Sequence, residues 1–372
     1  MRILLTGGGT GGHVYPALAI ADEIRRLEPG ARFLFVGTAQ GIEADLVPRA
    51  GLPFATIAAG GLVGTSVAQR LRGALKMAVG VWQAARHLRR FRPDAVLATG
   101  GYVSGPVLLA ARLLGIPYAL WEGNAFPGAT VRLFSRWARA VFIPFPEAGR
   151  HFPPGVRLFP LGNPVRREVR EADREAARAA LGLGPGDRLV LVVPGSIGAR
   201  GLNRAMVEAA PRLLARPGVR ILHVTGARQY EEVAGLYRQA RIDPEGTPGL
   251  TVRPYLHEMP LALAAADLAV TRAGATTTAE LAVRGLPAVV IPFPYATHNH
   301  QEHNARALAD RGGVVMIREA ELTGARLAET LLELLDDPDR RAAMARALRE
   351  VARDRAGEEI AAQVLALARS RR

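Results

Sequence analysis

Arg2-Ile3-Leu4-Leu5-Thr6 runs directly into Gly7-Gly8-Gly9-Thr10-Gly11-Gly12-His13, and Arg188-Leu189-Val190-Leu191-Val192-Val193 runs into Pro194-Gly195-Ser196-Ile197-Gly198-Ala199-Arg200. Each pairs a short apolar run with a glycine-rich turn, the pattern of a strand buried on both faces followed by a loop that opens a helix. The chain starts the same scheme twice, so the fold class is α/β with two Rossmann-like, doubly wound domains in tandem. Further strands are expected at 32–36, 95–98, 118–121 and 140–143, then at 220–224, 251–252, 268–270 and 288–291. Phe152-Pro153-Pro154-Gly155 and Gly162-Asn163-Pro164 punctuate the middle of the chain, which sets a hinge near Gly162. The expected domains are 1–162 and 163–355. A helix rich in acids and arginines is expected at 166–181, and a last helix, about 356–372, is expected to pack back on the first domain.

A length of 372 residues exceeds one ordinary core and agrees with two domains. Hydrophobic residues at 49% and charged ones at 22% exclude wholesale disorder. The chain has no cysteine, which removes disulfides, cysteine-ligated zinc, iron–sulfur clusters and thiol nucleophiles, so catalysis falls to oxygen and nitrogen groups. No secretory pattern precedes the first strand, and the apolar stretch 107–121 is broken by Arg112 and Pro117. A cytosolic chain without a transmembrane helix is therefore expected. The net charge is +14, and residues 1–162 carry 18 basic against 8 acidic side chains. That asymmetry suggests an anionic partner for the first half: nucleic acid, an anionic membrane surface or a phosphorylated substrate. Nucleic acid is disfavoured, because basic and aromatic residues are not interleaved.

Four glycine loops carry the chemistry. The first satisfies G-x-G-x-x-G, but a dinucleotide site also wants an acid at the end of the second strand. Here Phe33-Leu34-Phe35-Val36-Gly37-Thr38 offers none before Glu43. What remains is a phosphate cradle of backbone N–H groups, with Thr10, Gly11 and Gly12 as donors and His13 at the helix start as a potential general base. Gly100-Gly101-Tyr102-Val103-Ser104-Gly105-Pro106 forms a second loop on the same sheet edge, and Gly195–Gly198 a third. In the fourth, Arg272-Ala273-Gly274-Ala275-Thr276-Thr277-Thr278 opens a helix, and Glu280 follows within it. This suits a nucleotide sugar, with diphosphate on the helix N-terminus and the carboxylate on the ribose hydroxyls. In Thr297-His298-Asn299-His300-Gln301-Glu302-His303-Asn304, His298 with Glu302 or His300 with Asn304 would share a helix face. No carboxylate cluster supports a metal there, so sugar-hydroxyl binding is the preferred reading and no metal is expected.

These motifs, in this order and over nearly the whole chain, resemble the MurG family, bacterial transferases that add N-acetylglucosamine to the lipid-linked muramyl-pentapeptide precursor of peptidoglycan. The matching stretches are Gly7–Pro16, Gly100–Pro106, Gly162–Arg166, Gly195–Arg200, Arg272–Thr276, Glu280 and His300-Gln301. The resemblance implies the glycosyltransferase B fold, two domains facing a cleft, and inverting transfer from UDP-N-acetylglucosamine to the C4 hydroxyl of the muramyl sugar. It implies no metal and no cofactor, and work at the cytoplasmic face of the membrane. It assigns Arg166 and the backbone at Leu256 to uracil, Ser196 to a phosphate, Gly274, Ala275, Thr276 and Thr277 to the diphosphate, Glu280 to the ribose, and Gln301 beside His300 to the sugar. Thr10, His13 and Tyr102 would face the acceptor diphosphate; His13 is the expected base and Glu122, next to Asn124, its rival. The family's usual His-Glu-Gln-Asn is Trp121-Glu122-Gly123-Asn124 here, Ile197 stands where it usually has Gln, and Ala273 where it usually has Ser. Alternatives of the same fold are a glycerolipid glucosyltransferase and a UDP-N-acetylglucosamine 2-epimerase; a basic binding protein is the alternative of another class.

Leu71, Leu75, Val79 and Trp82 fall on one stripe of a helix expected at 69–92, flanked by arginines and Lys76. Two readings compete, a core-packed helix and a docking face for an anionic membrane surface.

Overall fold

The structure is a computed structural model that describes residues 1–60, 67–124, 126–195, 198–296 and 299–371; for residues 67–72 and 74 it describes the backbone alone. The chain forms two compact units, 1–166 together with 353–372, and 167–352.

The first unit holds seven parallel strands: β1 Arg2–Thr6, β2 Arg32–Gly37, β3 Phe54–Thr56, β4 Ala95–Ala98, β5 Tyr118–Trp121, β6 Ala140–Ile143 and β7 Leu158–Pro160. Their spatial order is β3-β2-β1-β4-β5-β6-β7. Side chains alternate across the sheet. Ile3, Leu5, Phe33, Phe35, Ala95 and Leu97 join the core under helix Gly11–Leu27, while Leu4, Val36, Val96 and Ala98 join the core on the opposite face, with Leu108 and Val107 of helix Ser104–Leu113. Both faces are covered, which is why the strands read as unbroken apolar runs. The last helix, Ala356–Arg369, buries Ile360, Ala361, Val364, Leu365 and Ala368 in the first of these cores, packed along helix Gly11–Leu27.

The second unit repeats the scheme with β8 Arg188–Val193, β9 Val219–Val224, β10 Leu250–Arg253, β11 Leu268–Thr271, β12 Ala288–Val290 and β13 Val314–Met316, ordered β10-β9-β8-β11-β12-β13. In each sheet the order reverses beside the first strand, between β1 and β4 and between β8 and β11. Ligands of open α/β sheets bind at the strand carboxyl ends of that switch point, and all four glycine loops lie there.

Several expectations are corrected. Strands β3, β7 and β13 were not foreseen: each has three residues and lies at a sheet edge with one neighbour, too short for a periodic signal. The helix expected at 166–181 is two, Arg167–Glu171 and Arg174–Ala180, because Asp173 caps the second by accepting from Ala176 N–H at 2.8 Å. The division between units falls after Arg166 rather than Gly162. Val165 is buried, and the Arg166 guanidinium stacks on the Tyr15 ring at 4.2 Å, which keeps these residues with the first unit.

Candidate active site: two loop clusters

In the first unit the loops after β1 and β4 interlock. Gly100 and Gly101 take φ of +99° and +82°, a region that favours glycine. A Cβ on Gly101 would stand 2.5 Å from the Gly8 carbonyl oxygen, and one on Gly100 would stand 3.0 Å from His13 Cδ2 and 3.2 Å from its Nε2. Tyr102, 41% exposed, closes over Gly9. Thr99 Oγ1 donates to the His13 carbonyl at 2.6 Å and ties the second loop to the helix that carries the histidine.

His13 Nδ1 lies 3.1 Å from the Gly8 carbonyl oxygen and 3.3 Å from Thr10 Oγ1. A carbonyl only accepts, so Nδ1 carries the proton and Nε2, the nitrogen turned toward Gly100, is the basic one. Helix Gly11–Leu27 begins at Thr10 without a side-chain cap and without an acid in its first turn. Its first N–H groups and the positive end of its dipole therefore suit an anion.

Glu43 was not foreseen as a site residue. Fully buried, it accepts from Gly9 N–H at 3.1 Å, Thr38 N–H at 3.0 Å and Thr38 Oγ1–H at 2.7 Å. One carboxylate thus ties the first glycine loop to the end of β2. The signal in the sequence was the first acid after β2. It lies six residues beyond the strand's end, past the strand-end position at which an acid would hold a ribose.

Glu122 is buried after β5. Its Oε1 accepts from the Asn124 N–H at 2.9 Å and the Asn124 Nδ2 at 3.0 Å, and its Oε2 from Gly128 N–H at 2.8 Å. Burial pushes its carboxyl up, and the Gly128 and Asn124 donors oppose that rise. The geometry is that of a carboxylate shaping the turn before helix Ala129–Phe134. Trp121, in place of a histidine, fills the core beneath it.

In the second unit, helix Ala275–Arg284 starts at Gly274, again without a side-chain cap or a first-turn acid. Thr278 Oγ1 turns back to the Gly274 and Ala275 carbonyls, at 3.1 and 3.0 Å. The Thr276 hydroxyl oxygen is buried with no hydrogen-bond partner among the described residues. Glu280, 7% exposed, lies further along this helix. Arg272 is a strut: it donates to the Ile291 and Pro292 carbonyls at 3.2 and 3.3 Å and pairs with Glu319. Asn304 donates to the Ala273 carbonyl at 3.1 Å, and Gln301 Oε1 accepts from Phe293 N–H at 3.0 Å, so helix His300–Ala309 braces the loops after β11 and β12. Glu302 is held by Asn299, Arg306 and Arg318, which keep its carboxyl down at about 2. Asn299, Glu302, Asn304 and the Gln301 side-chain oxygen thus tie protein to protein. Among the described residues no three His, Cys, Asp or Glu side chains gather as a metal site would need.

Leu256 follows β10 at the same sheet edge. Ser196, with Ile197, Thr297 and His298, lies outside the described residues. Arg166 belongs to the first unit, on Tyr15, whereas the other residues expected around the donor belong to the second.

Beneath the loop after β8, a polar network escaped the sequence reading. Asn203 donates from Nδ2 to the Thr225 carbonyl at 3.0 Å and to Gln229 Oε1 at 2.8 Å, so its Oδ1 must accept from His223 Nε2 at 3.0 Å. His223 Nδ1 then accepts from the Tyr237 hydroxyl at 2.9 Å. Burial pulls the His223 imidazole down to about 3, so it is neutral. Gly198, at φ +87°, packs on this floor, where a Cβ would stand 2.7 Å from the Thr225 carbonyl oxygen.

Comparison with known proteins gives the arrangement a family. Residues 3–143 match the glycosyltransferase family 28 N-terminal domain and residues 189–360 the glycosyltransferase family 28 C-terminal domain. A protein of Symbiobacterium thermophilum, named UDP-N-acetylglucosamine--N-acetylmuramyl-(pentapeptide) pyrophosphoryl-undecaprenol N-acetylglucosamine transferase, is 50% identical over 100% of this chain and 98% of its own. A relative of the same name from Moorella thermoacetica is 47% identical over 98% of each chain. The crystal structure of Acinetobacter baumannii MurG is 31% identical, covering 98% of this chain and 99% of its own, with a TM-score of 0.71. A Listeria monocytogenes protein described as a putative UDP-N-acetylglucosamine 2-epimerase superposes with a TM-score of 0.72 at 15% identity, a likeness of fold alone. With both domain models matched in order along a chain that shares half its residues with such a relative, the protein belongs to glycosyltransferase family 28, within the MurG family.

Proposed function

We propose that this glycosyltransferase moves N-acetylglucosamine from UDP-N-acetylglucosamine to the C4 hydroxyl of a polyprenyl-diphosphoryl N-acetylmuramyl-pentapeptide, with inversion. The first unit would take the acceptor and the second the donor. The observation that carries this reading is His13, its basic nitrogen fixed by Gly8, beside an uncapped helix start able to hold the acceptor diphosphate.

In an inverting transfer the acceptor oxygen attacks the anomeric carbon from the face opposite UDP. His13 Nε2 would take the C4 hydroxyl proton as that bond forms, with Thr10, Gly11, Gly12 and Tyr102 holding the acceptor. The departing diphosphate gains charge as the glycosidic bond breaks, and the N-terminus of helix Ala275–Arg284, with Thr276 and Thr277, would stabilise it. Glu280 would accept the ribose hydroxyls, Leu256 and Arg166 would meet the uracil, and His300 and Gln301 the sugar. Glu122 and Asn124 would act by shaping the loop after β5, since both Glu122 oxygens are already engaged.

The acceptor is lipid-linked, and the enzyme would reach it as a peripheral protein at the cytoplasmic membrane face. No helix among the described residues is long and apolar enough to cross a membrane. Helix Val67–Phe91 buries its small seam, Gly73, Gly80, Ala84 and Leu88, and leaves Leu75 66%, Val79 40% and Trp82 64% exposed. The large apolar stripe is thus not the packing face, which supports the docking reading over the core-packed one; the Leu71 side chain lies outside the described residues.

The function is tested by following labelled N-acetylglucosamine from UDP onto a polyprenyl-diphosphate muramyl-pentapeptide, onto diacylglycerol and in the absence of acceptor. Transfer to the first alone is expected. Label on the glycerolipid, or epimerisation without acceptor, would replace this reading with one of the other two.

A further inference from the structure

Between the loop after β5 and the segment after β6 lies a cavity of ≈ 440 Å³, lined by Phe126, Arg132, Arg150, His151, Phe152 and Pro153, with no carboxylate among them. Arg132 and Arg150 are exposed and form no ion pair among the described residues. The Arg150 Nε–H donates to His151 Nε2 at 3.2 Å, so that nitrogen is an acceptor and the imidazole proton sits on Nδ1. The same bond leaves the two terminal amino groups of the Arg150 fork for a planar anion. The Phe126 ring packs on His151 with centroids 4.5 Å apart, and Phe152 is 8% exposed, so the cations border an apolar wall. A charge held against such a wall is screened less than one in open water. The cavity also neighbours His13. A Cβ on Gly100 would touch both the His13 ring and, at 3.8 Å, Val131 Cγ2, and Arg132 is the next residue of helix Ala129–Phe134.

We propose that this cavity binds the terminal carboxylate of the acceptor's peptide. In a muramyl sugar the peptide leaves from the lactyl ether on C3, the carbon beside the C4 hydroxyl that His13 would deprotonate. The peptide therefore starts at the edge of the sugar nearest that imidazole, and five residues reach at most about 17 Å when extended. Its end carries a carboxylate, which an arginine fork takes through two parallel hydrogen bonds. The acceptor diphosphate is accounted for by the uncapped helix start at Thr10, so a second cationic site in the same unit calls for a second anion. The site deepens the acceptor reading above and rests on it, adding which part of the acceptor beyond the sugar is recognised.

The test compares two soluble short-chain polyprenyl-diphosphoryl N-acetylmuramyl-pentapeptides that differ only at the peptide's end, one a free carboxylate and the other a carboxamide. The Kd of each for the full chain is measured by calorimetry, and kcat/KM by transfer of labelled N-acetylglucosamine. The variant is Arg132→Gln/Arg150→Gln. A charge-matched control, Arg139→Gln/Arg157→Gln, removes two exposed arginines of the same unit that do not line the cavity. A charge-assisted hydrogen bond contributes about a tenfold factor in affinity, so the wild type and the control should bind the carboxylate roughly tenfold more tightly than the carboxamide. The variant should lose that preference and bind the carboxamide as the wild type does. Equal affinity of the wild type for the two acceptors would overturn the proposal. A variant that weakens both acceptors by the same factor would overturn it too, making the arginines a contact for the sugar, the diphosphate or the lipid. A wild type that shows the preference in binding but transfers nothing would sink the transferase reading and keep the site, whereas binding of neither acceptor would overturn both.

Discussion

The Gly8 carbonyl, 3.1 Å from His13 Nδ1, decides which ring nitrogen is basic, and Gly100 leaves that nitrogen room. His13→Ala should therefore leave UDP-N-acetylglucosamine binding intact and lower kcat by roughly 10²–10⁴, the usual contribution of a general base. A loss under tenfold would move the role elsewhere. Glu280→Ala should do the reverse. Charge-assisted hydrogen bonds contribute about 1.5–3 kcal/mol each, so losing the ribose contact should raise the donor Kd at least tenfold with the circular dichroism unchanged. Unaltered donor affinity, measured by calorimetry, would remove Glu280 from the nucleotide site. Both residues are candidates that the sequence offers, because each stands at a fixed offset from a glycine loop. Glu43 was legible as a type but not as a role. A carboxylate that turns back onto Gly9 and Thr38 depends on how the chain after β2 folds over, which no local spacing encodes. His223, Asn203 and Tyr237 were not legible at all, since three polar residues from three elements meet only through packing.

At the scale of elements, the two interlocked loops should behave as one. Gly101 and Gly115 both have positive φ, +82° and +64°, but a Cβ at Gly101 meets the Gly8 backbone whereas one at Gly115 meets nothing within 4 Å. An L-residue in that region costs about 1–2 kcal/mol at either position. Gly115→Ala should thus lose only that much stability and keep full activity, while Gly101→Ala should in addition separate the loops and lower kcat/KM for the acceptor at least tenfold. Equal activities in the two variants would show that the loops are independent. Helix Val67–Phe91 gives a second contrast. Leu75→Glu/Trp82→Glu changes exposed side chains, so the melting temperature should hold while sedimentation with anionic vesicles falls. A melting point lowered by many degrees would return this face to the core. The helix itself was legible from its period, but its packing side was not. Periodicity marks the large apolar stripe, whereas the structure buries the smaller one, where Gly80 lets the helix close on Ala58 and Pro106.

For the whole molecule, the doubled plan was legible because each unit opens with the same strand and glycine loop. The fully buried central strands carry unbroken apolar runs, while the three-residue edge strands and the break at Asp173 carry no such signal. The two units should also answer differently to acid, because the one buried histidine held neutral among the described residues, His223, lies in the second. The folded imidazole of His223 titrates at about 3 and an unfolded one near 6.5, so between those values the unfolded state binds the extra proton. Stability from this group is therefore complete above pH 6.5 and is lost as the pH falls toward 3, by about 1.4 kcal/mol per pH unit. From pH 8 to pH 5, above the range in which most carboxylates titrate, the loss is about 2 kcal/mol. Hydrogen exchange of the β9 amides, corrected for intrinsic rates, should show that decline in the wild type, whereas amides of β1, in the first unit, should not. In His223→Gln the β9 opening energy should start lower at pH 8, because the Tyr237 and Asn203 bonds are disturbed, and then change less with pH. Parallel pH dependence of β9 in the two proteins would mean that His223 is not the group through which acid loosens the second unit.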